Sequence, residues 1–129
     1  MNRSIALGLA MLAGAALGAI VTGALHAQGR PPGAFAVIDV SEITDPDVLN
    51  KQIFAKETPS LVPFGGQYVM RTQNVTGIDG TPPKRFIVIA FGSLQAAKAW
   101  SDSAAQKEID ALRMKSTKSR AFIVDATID

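Results

Sequence analysis

Apolar runs along the chain predict four β-strands. Two of them, residues 34–40 and 86–91, are apolar at nearly every position, which is typical of strands with little solvent on either face. Two further runs, 67–72 and 121–126, are strand-like, but each of them carries a charged residue. Charged positions are typical of edge strands. We therefore expect one sheet with two central strands and two edge strands.

Apolar positions at helical spacing predict a helix between the first two strands. Asp45 and Pro46 supply an N-cap and a proline at the first helical position. Pro59 cannot continue a helix without the loss of a backbone hydrogen bond. We therefore expect a kink or restart near Thr58 and an end at Gly65–Gly66.

A second helical region follows the third strand and begins at Ser93. Ser103 and Gln106 have the spacing of a capping box, which predicts that a separate helix starts there. Residues 74–84 are rich in glycine and proline, which predicts a long hairpin loop between the second and third strands. The order of elements is therefore β-α-β-β-α-β.

This order predicts an α+β fold of the ferredoxin-like type, with a four-stranded antiparallel sheet. In that fold the first and third strands are central, and these are the two most apolar runs. Right-handed crossovers place the helices on one face of the sheet. The other face must carry one alternation of each central strand, 35–39 or 36–40 and 86–90 or 87–91, and all of these are mainly apolar.

An open apolar sheet face predicts a partner. A face of roughly several hundred Å² is uncommon on a monomer and usually marks an interface. Its burial at about 25 cal/mol per Å² contributes roughly 10 kcal/mol before the costs of association. We therefore expect a homodimer that packs sheet to sheet.

The start of the chain is predicted to be a signal peptide over residues 1–27. Arg3 precedes an uncharged apolar run, 5–25, and small residues follow it. That run is also about 20 residues long, enough to cross a bilayer, so an uncleaved membrane anchor is the alternative. In a bacterial cell both interpretations export the remainder to the periplasm or outside. Residues 28–33 then form a linker and 34–129 form one domain.

Composition excludes several classes of protein. The chain has 129 residues, 47% of them hydrophobic, and a net charge of +2, which excludes an intrinsically disordered chain. It has no cysteine, which excludes a disulfide scaffold and a thiolate metal site. Without Arg3 the chain keeps 12 basic and 11 acidic groups, so its charge does not indicate a nucleic-acid partner. We expect no metal and no cofactor.

Several short motifs occur together in one order. They are the aromatic-Gly-Gly turn at 64–66, Arg71 at the end of the second strand, the Pro-Pro-Lys-Arg at 82–85, and Trp100 followed by Ser103. With these motifs the chain resembles the bacterial family named only as domain of unknown function 1330, over about residues 34–128.

That resemblance implies a ferredoxin-like fold of the dimeric α/β barrel superfamily. Relatives in the superfamily include haem-degrading and quinone-forming monooxygenases and lactone isomerases, whereas the family itself has no established reaction. The chain departs from the family at four positions, where the family usually has arginine, glutamate, tyrosine and tyrosine. These positions are Gln67, Ala90, Ser101 and Ala105. The loss of these acidic and phenolic groups weakens any inference of shared acid–base chemistry.

Few residues of the predicted domain can carry acid–base chemistry. His26 is the one histidine, and it lies beside the predicted cleavage site, so histidine-based nucleophile pairs, a haem ligand and a zinc site are absent from the domain. Asp39 and Asp125 lie in neighbouring predicted strands and are the candidate catalytic residues. One of them, buried beside Arg71, can be a tuned base or can orient an anion site. A structural ion pair or an exposed charge is the simpler interpretation.

Arg71, Trp100 and Arg85 are the candidate ligand-binding residues. Arg71 can bind a carboxylate with both arms of its guanidinium, although a solvent-facing charge at the dimer rim is the more common role. Trp100 can form a stacking wall, although core packing is the more common role.

Three functions follow from these candidates. The one we favour is a homodimer that binds a small apolar or anionic ligand in a cleft between helices and sheet, with Arg71 and Trp100 at its mouth. The second is a cofactor-independent oxygenase or isomerase in which Asp39 or Asp125 removes a proton. The third is a periplasmic interaction protein.

Overall fold

One antiparallel sheet forms the centre of the computed structural model, which describes residues 30–129. Its strands are β1 (Ala34–Ile43), β2 (Gln67–Thr72), β3 (Arg85–Phe91) and β4 (Thr117–Asp125). Their order across the sheet is β2-β3-β1-β4, so the two most apolar strands are central and the two strands with charged positions are at the edges. The predicted ferredoxin-like α+β fold is confirmed.

Strands β1 and β4 extend further than predicted. The strand β1 continues past Val40 to Ile43, and β4 begins at Thr117 instead of Ala121. The added residues pair with each other, and the register shifts between Val40 and Glu42. This irregularity and the polar residues that follow Val40 interrupt the apolar pattern. The strand predicted from that pattern was therefore too short.

Helical elements fill the two crossovers. The first crossover contains a π-helical turn (Val48–Ile53), α1 (Phe54–Leu61) and a 3₁₀ turn (Val62–Phe64), and the second contains α2 (Leu94–Asp102) and α3 (Ala104–Ser116). Pro59 lies inside α1, so the helix does not restart near Thr58, whereas the alternative of a kink there stays a prediction. A proline removes one backbone hydrogen bond, but the buried residues Glu57 and Leu61 on either side of it hold this turn against the core.

Side-chain caps set where the helices begin. Asp45, Ser93 and Ser103 each accept a hydrogen bond from the backbone N–H three residues later, at 3.2, 3.1 and 3.3 Å. Residues 46 and 47 are already helical, so Asp45 directly precedes the first helical residue, and the three caps confirm the predicted starts. The capping box is only half formed, because the Gln106 amide does not bond back to the cap and instead donates to Asp110 at 3.1 Å.

The helices pack on one face of the sheet, where the apolar core lies. Its members are Ala34, Ala36, Ile38, Val40, Leu49, Ile53, Phe54, Leu61, Ile87, Ile89, Phe91, Ala97, Trp100 and Ile109. The strand registers place Phe35, Val37 and Asp39 opposite Ala90, Val88 and Phe86, on the other face. We call this the open face. The alternation that the sequence left undecided is therefore settled as 35–39 with 86–90.

The predicted signal peptide or anchor, residues 1–27, and the first two residues of the predicted linker lie outside the described residues. Within residues 30–129 the structure contains no helix with the length and apolar character that a membrane span requires. Residues 32–129 form one compact unit.

Candidate functional site

A cleft of about 190 Å³ lies between α2 and α3 on one side and β1 and β4 on the other. Its size is close to that of an engineered cavity of about 150 Å³ that binds benzene. The crossover after β3 creates it, because α2 ends at Asp102 and α3 turns back from Ser103 across the edge strand β4. The cleft can therefore hold a molecule of about one ring.

One wall of the cleft is apolar. Trp100 lines it together with Ile38 of β1 and Ala121 of β4. The cap at Ser93 fixes the phase of α2 and turns Trp100 inward, where its indole is only 4% exposed. The indole packs on Phe91 with ring centroids 5.3 Å apart. Trp100 therefore packs in the core and also lines the cleft, and its role as a stacking wall for a ligand stays a prediction.

The opposite edge of the cleft is polar and comes from one face of α3. Gln106, Asp110 and Arg113 line the cleft and follow each other at helical spacing. Gln106 donates to Asp110 at 3.1 Å, and Arg113 pairs with Asp110 at 3.5 Å and donates to Ser119 at 2.7 Å. The side chains of Arg113 and Asp110 are 14% and 29% exposed. This edge offers a ligand both a guanidinium donor and a carboxylate acceptor.

Behind the cleft lies a buried polar network centred on Glu57. The Glu57 carboxylate accepts a hydrogen bond from the Tyr68 hydroxyl at 2.6 Å, and Glu57 is only 2% exposed. Trp100 Nε1 donates to Ser60 Oγ at 3.1 Å, and Ser60 Oγ donates to the Glu57 carbonyl at 2.6 Å. Ser60 Oγ also lies 3.4 Å from the Gln106 amide oxygen. Through Ser60, the network therefore connects the backbone carbonyl of Glu57 to two residues that line the cleft.

Burial controls the ionisation of the two ends of this network. It raises the pKa of the Glu57 carboxyl, and the hydrogen bond from Tyr68 partly offsets that rise. Burial also raises the pKa of the Tyr68 hydroxyl above its usual range, and the adjacent Glu57 carboxylate raises it further. Proton transfer from Tyr68 to Glu57 is therefore unfavourable, and the hydroxyl is a stable donor.

Sequence reasoning missed Glu57 and Tyr68 as site residues. A signal for Glu57 was present, because Ile53, Glu57 and Leu61 recur at intervals of four on what is otherwise an apolar helix face. A charged residue in such a stripe is expected to be buried and to have a partner. The sequence offers no comparable signal for Tyr68, which reaches Glu57 from β2.

Arg71 and Arg85 come together, but away from the cleft. Their guanidinium carbons lie 4.3 and 5.3 Å from the centroid of the Phe54 ring. Neither of them lines the cleft, whereas Trp100 does. The structure thus separates Arg71 from Trp100, which the sequence analysis placed at one mouth.

Asp39 and Asp125 lie far from each other along adjacent strands. Asp39 pairs in register with Arg120 on the open face, and their side chains form an ion pair at 3.1 Å. Asp125 pairs in register with Ala34 at the other end of β1 and is exposed. Neither lines the cleft, and the partner of Asp39 is Arg120 instead of Arg71.

The part of the chain that the structure describes has no cluster of three or more histidine, cysteine or carboxylate side chains that could hold a metal ion. The polar residues that line the cleft supply a guanidinium, a single carboxylate, an amide and the hydroxyl of Ser101. This donor set suits hydrogen bonding to an organic molecule better than coordination of a cation.

The family described as "Domain of unknown function (DUF1330)" matches residues 33–127. No curated protein matches the chain.

Solved structures share the fold. A protein of unknown function from Rhodopseudomonas palustris has a TM-score of 0.56 and 15% identity, over 84% of this chain and 95% of that one. SnoaB, a cofactor-independent oxygenase from Streptomyces nogalater, has a TM-score of 0.51 and 13% identity, over 74% and 94%. A protein from Nitrosomonas europaea, provisionally assigned as an antibiotic biosynthesis monooxygenase, has a TM-score of 0.52 and 14% identity, over 74% and 99%. At these identities the likeness shows the fold alone.

Proposed function

This chain belongs to the family described as domain of unknown function 1330, and from that premise we propose that it is an exported, homodimeric domain that binds a small molecule in the cleft beside Trp100. The apolar wall buries the body of the ligand, and the edge formed by Gln106, Asp110 and Arg113 binds one polar group on it. The ligand class is a molecule of about one ring that carries a hydroxyl or a carboxylate.

The observation that carries this proposal is the combination of an apolar wall with a polar edge in one cleft. Small-molecule sites are typically concave and mostly apolar, with a few polar groups that fix orientation. The ion pair of Asp110 and Arg113 is only partly exposed, so a ligand group that reaches it exchanges little water. Both a hydroxyl and a carboxylate can bond to Arg113, but only a hydroxyl can also donate to Asp110.

A fluorescence titration tests the proposal directly, because Trp100 is the only tryptophan of the chain and lines the cleft. Phenol, benzoate and 4-hydroxybenzoate are suitable probes. We expect a saturable change of Trp100 emission in the wild type and its loss in Ala121→Leu, where the larger side chain fills the cleft at the edge strand.

The matched control is Ala111→Leu, the same change at an exposed position of α3 that does not line the cleft. This variant should bind like the wild type. The proposal fails if no probe gives a saturable change, or if Ala121→Leu binds as well as Ala111→Leu does.

Export and dimerisation complete the proposal. The charged start and apolar run of residues 1–27 support export, with a membrane anchor as the alternative. The open face supports a second copy, because Met70, Phe122 and Val124 lie on it and are each more than 40% exposed.

A cofactor-independent oxygenase or isomerase is the second candidate, and the Glu57 network favours it. Such a reaction needs a group that removes a proton from the ligand, and a buried carboxyl of raised pKa suits that task. SnoaB, which has the same fold, is described as an oxygenase of this kind. In this proposal Glu57 is the base, and the ligand must reach its carboxylate directly, because Ser60 bonds to the Glu57 backbone carbonyl and not to the carboxylate.

The second candidate is separated from simple binding by an assay of quinol and lactone turnover. Glu57→Gln should then abolish turnover but keep the fluorescence response of Trp100. Asp39→Asn should leave turnover unchanged, because Asp39 lies on the open face and away from the cleft. Equal turnover in the wild type and Glu57→Gln would show that Glu57 is not the base.

A further inference from the structure

Two arginines converge on one aromatic ring at the end of the sheet where the 73–84 loop joins β2 and β3. The guanidinium carbons of Arg71 and Arg85 lie 4.3 and 5.3 Å from the centroid of the Phe54 ring. The guanidinium of Arg71 also lies 4.9 Å from the centroid of the Tyr68 ring. Arg71 pairs with Ile87 across the sheet, two positions from Arg85, so the arginines are diagonal neighbours on the helix-covered face.

Neither arginine has a carboxylate partner in the described residues. The structure contains five ion pairs within residues 30–129, and none of them includes Arg71 or Arg85. Arg120 provides a comparison, because it also stacks on a phenylalanine, Phe122, at 5.7 Å. Unlike the other two, Arg120 bonds to a carboxylate, that of Asp39, at 3.1 Å.

The guanidinium of Arg85 is held in place by uncharged groups. It donates from Nη2 to the Asn50 side-chain oxygen at 3.1 Å and stacks on Phe54. Its Nε is buried and has no hydrogen-bond partner in the described part of the chain. A cation that is partly withdrawn from water without a counter-charge is unfavourable, and a second cation beside it adds repulsion. An anion would relieve both costs.

Glu57 contacts this arrangement through Tyr68, but it forms no ion pair with either arginine. The Glu57 carboxylate is buried and accepts its hydrogen bond from the Tyr68 hydroxyl, while Arg71 stacks on the Tyr68 ring. Arg71 is exposed, so an anion can reach it from solvent. Stacking therefore orients both guanidinium groups, and that of Arg71 is accessible.

We propose that Arg71 and Arg85 form an anion-binding site for a carboxylate or phosphate group of a small molecule, separate from the cleft beside Trp100. Planar guanidinium groups bind both kinds of oxyanion with paired hydrogen bonds. Neither arginine lines the cleft. Binding at the two sites can therefore be tested independently.

Nuclear magnetic resonance of the arginine Nε–H groups in the full chain tests this site. Inorganic phosphate and benzoate are titrated separately at constant ionic strength, with chloride as the balancing anion. We expect saturable shifts of Arg71 and Arg85 and none of Arg120. The probe that saturates at the lower concentration shows which oxyanion the site prefers. The indole N–H of Trp100 reports the cleft in the same spectra, so phosphate should leave it unchanged.

Substitution of the two arginines is the second test of this site. Arg71→Gln and Arg85→Gln should each weaken binding of the preferred probe by about tenfold, the loss expected for one charge-assisted contact. The matched control Arg120→Gln removes a stacked arginine from the open face and should bind like the wild type. The proposal is overturned if neither probe gives a saturable shift, if chloride alone gives the same shifts, or if Arg120 shifts equally.

Discussion

At the scale of single residues, the most informative group is a carboxyl in an apolar helix face. Glu57 lies between Ile53 and Leu61 and is as buried as they are. An unpaired charge there would be strongly unfavourable, and the short hydrogen bond from Tyr68 makes the position tolerable. The hydrogen bond does not fully offset the unfavourable burial of the charged form, and the pKa of Glu57 is therefore raised.

The raised pKa of Glu57 predicts a pH dependence of stability. Above its ordinary value of 4.5, the unfolded chain loses the Glu57 proton while the folded protein still holds it. The unfolded state then binds fewer protons, so the free energy of unfolding falls as pH rises through the folded pKa. Glu57→Gln keeps an oxygen for Tyr68 and does not titrate. Its stability relative to the wild type should therefore increase from pH 4 upward and level off once Glu57 is ionised.

Urea unfolding of both proteins between pH 4 and pH 8 measures this difference. Glu108→Gln changes an exposed glutamate of α3 and is the matched control, which should not show the same rise. A constant difference between Glu57→Gln and the wild type across this range would mean that burial does not raise the pKa of Glu57.

At the scale of elements, the junction between the first crossover and β2 depends on two adjacent glycines for different reasons. Gly65 has φ +68°, the left-handed conformation that ends the 3₁₀ turn. A Cβ at Gly66 would lie 2.7 Å from a methyl of Leu61 and 2.8 Å from the ring of Phe91. Both of these partners belong to the core.

Substitution of these glycines should have separable effects. Gly66→Ala should lower the free energy of unfolding by about 1–3 kcal/mol, because the added methyl overpacks the core. Gly65→Ala should cost about 1 kcal/mol through backbone strain, and Gly65→Asn should cost less because asparagine tolerates this conformation. Urea unfolding measures all three. A neutral Gly66→Ala would show that the core at this junction is loosely packed.

Features that depend on the spacing of residues along the chain were predictable from the sequence. Features that depend on contacts between elements distant in the chain were not. The caps at Ser93 and Ser103 and the central place of the two apolar strands follow from neighbouring residues. The contact of Glu57 with Tyr68 joins α1 to β2, and the polar edge of the cleft depends on how α3 lies against β4. No pattern along the chain specifies those distances.

At the scale of the whole molecule, the sheet is the main feature: within residues 30–129, helices cover one of its faces and leave the other face open. On the open face, Val37 and Ala90 are buried near the centre, while Met70 and Val124 towards the edges remain more than 40% exposed. Isolated apolar residues on a surface are normal, but exposed apolar residues grouped on one sheet face usually mark an interface. We propose that a second copy of the chain covers the open face.

A variant on the open face should separate the copies. Val124→Glu places a charge on the open face at the edge strand and should convert a dimer to single chains, because an unpaired buried charge at an interface is strongly unfavourable. Ile128→Glu makes the same change in the fully exposed tail and should leave the assembly intact. Size-exclusion chromatography with light scattering measures both. If both variants keep the mass of the wild type, the open face is not the interface.

Sedimentation equilibrium of the wild-type chain at micromolar concentration is the most direct test of the account. We predict a mass of twice the single chain, with dissociation only on dilution well below that range. A single-chain mass at micromolar concentration, in protein that remains folded and free of aggregates, would contradict the account.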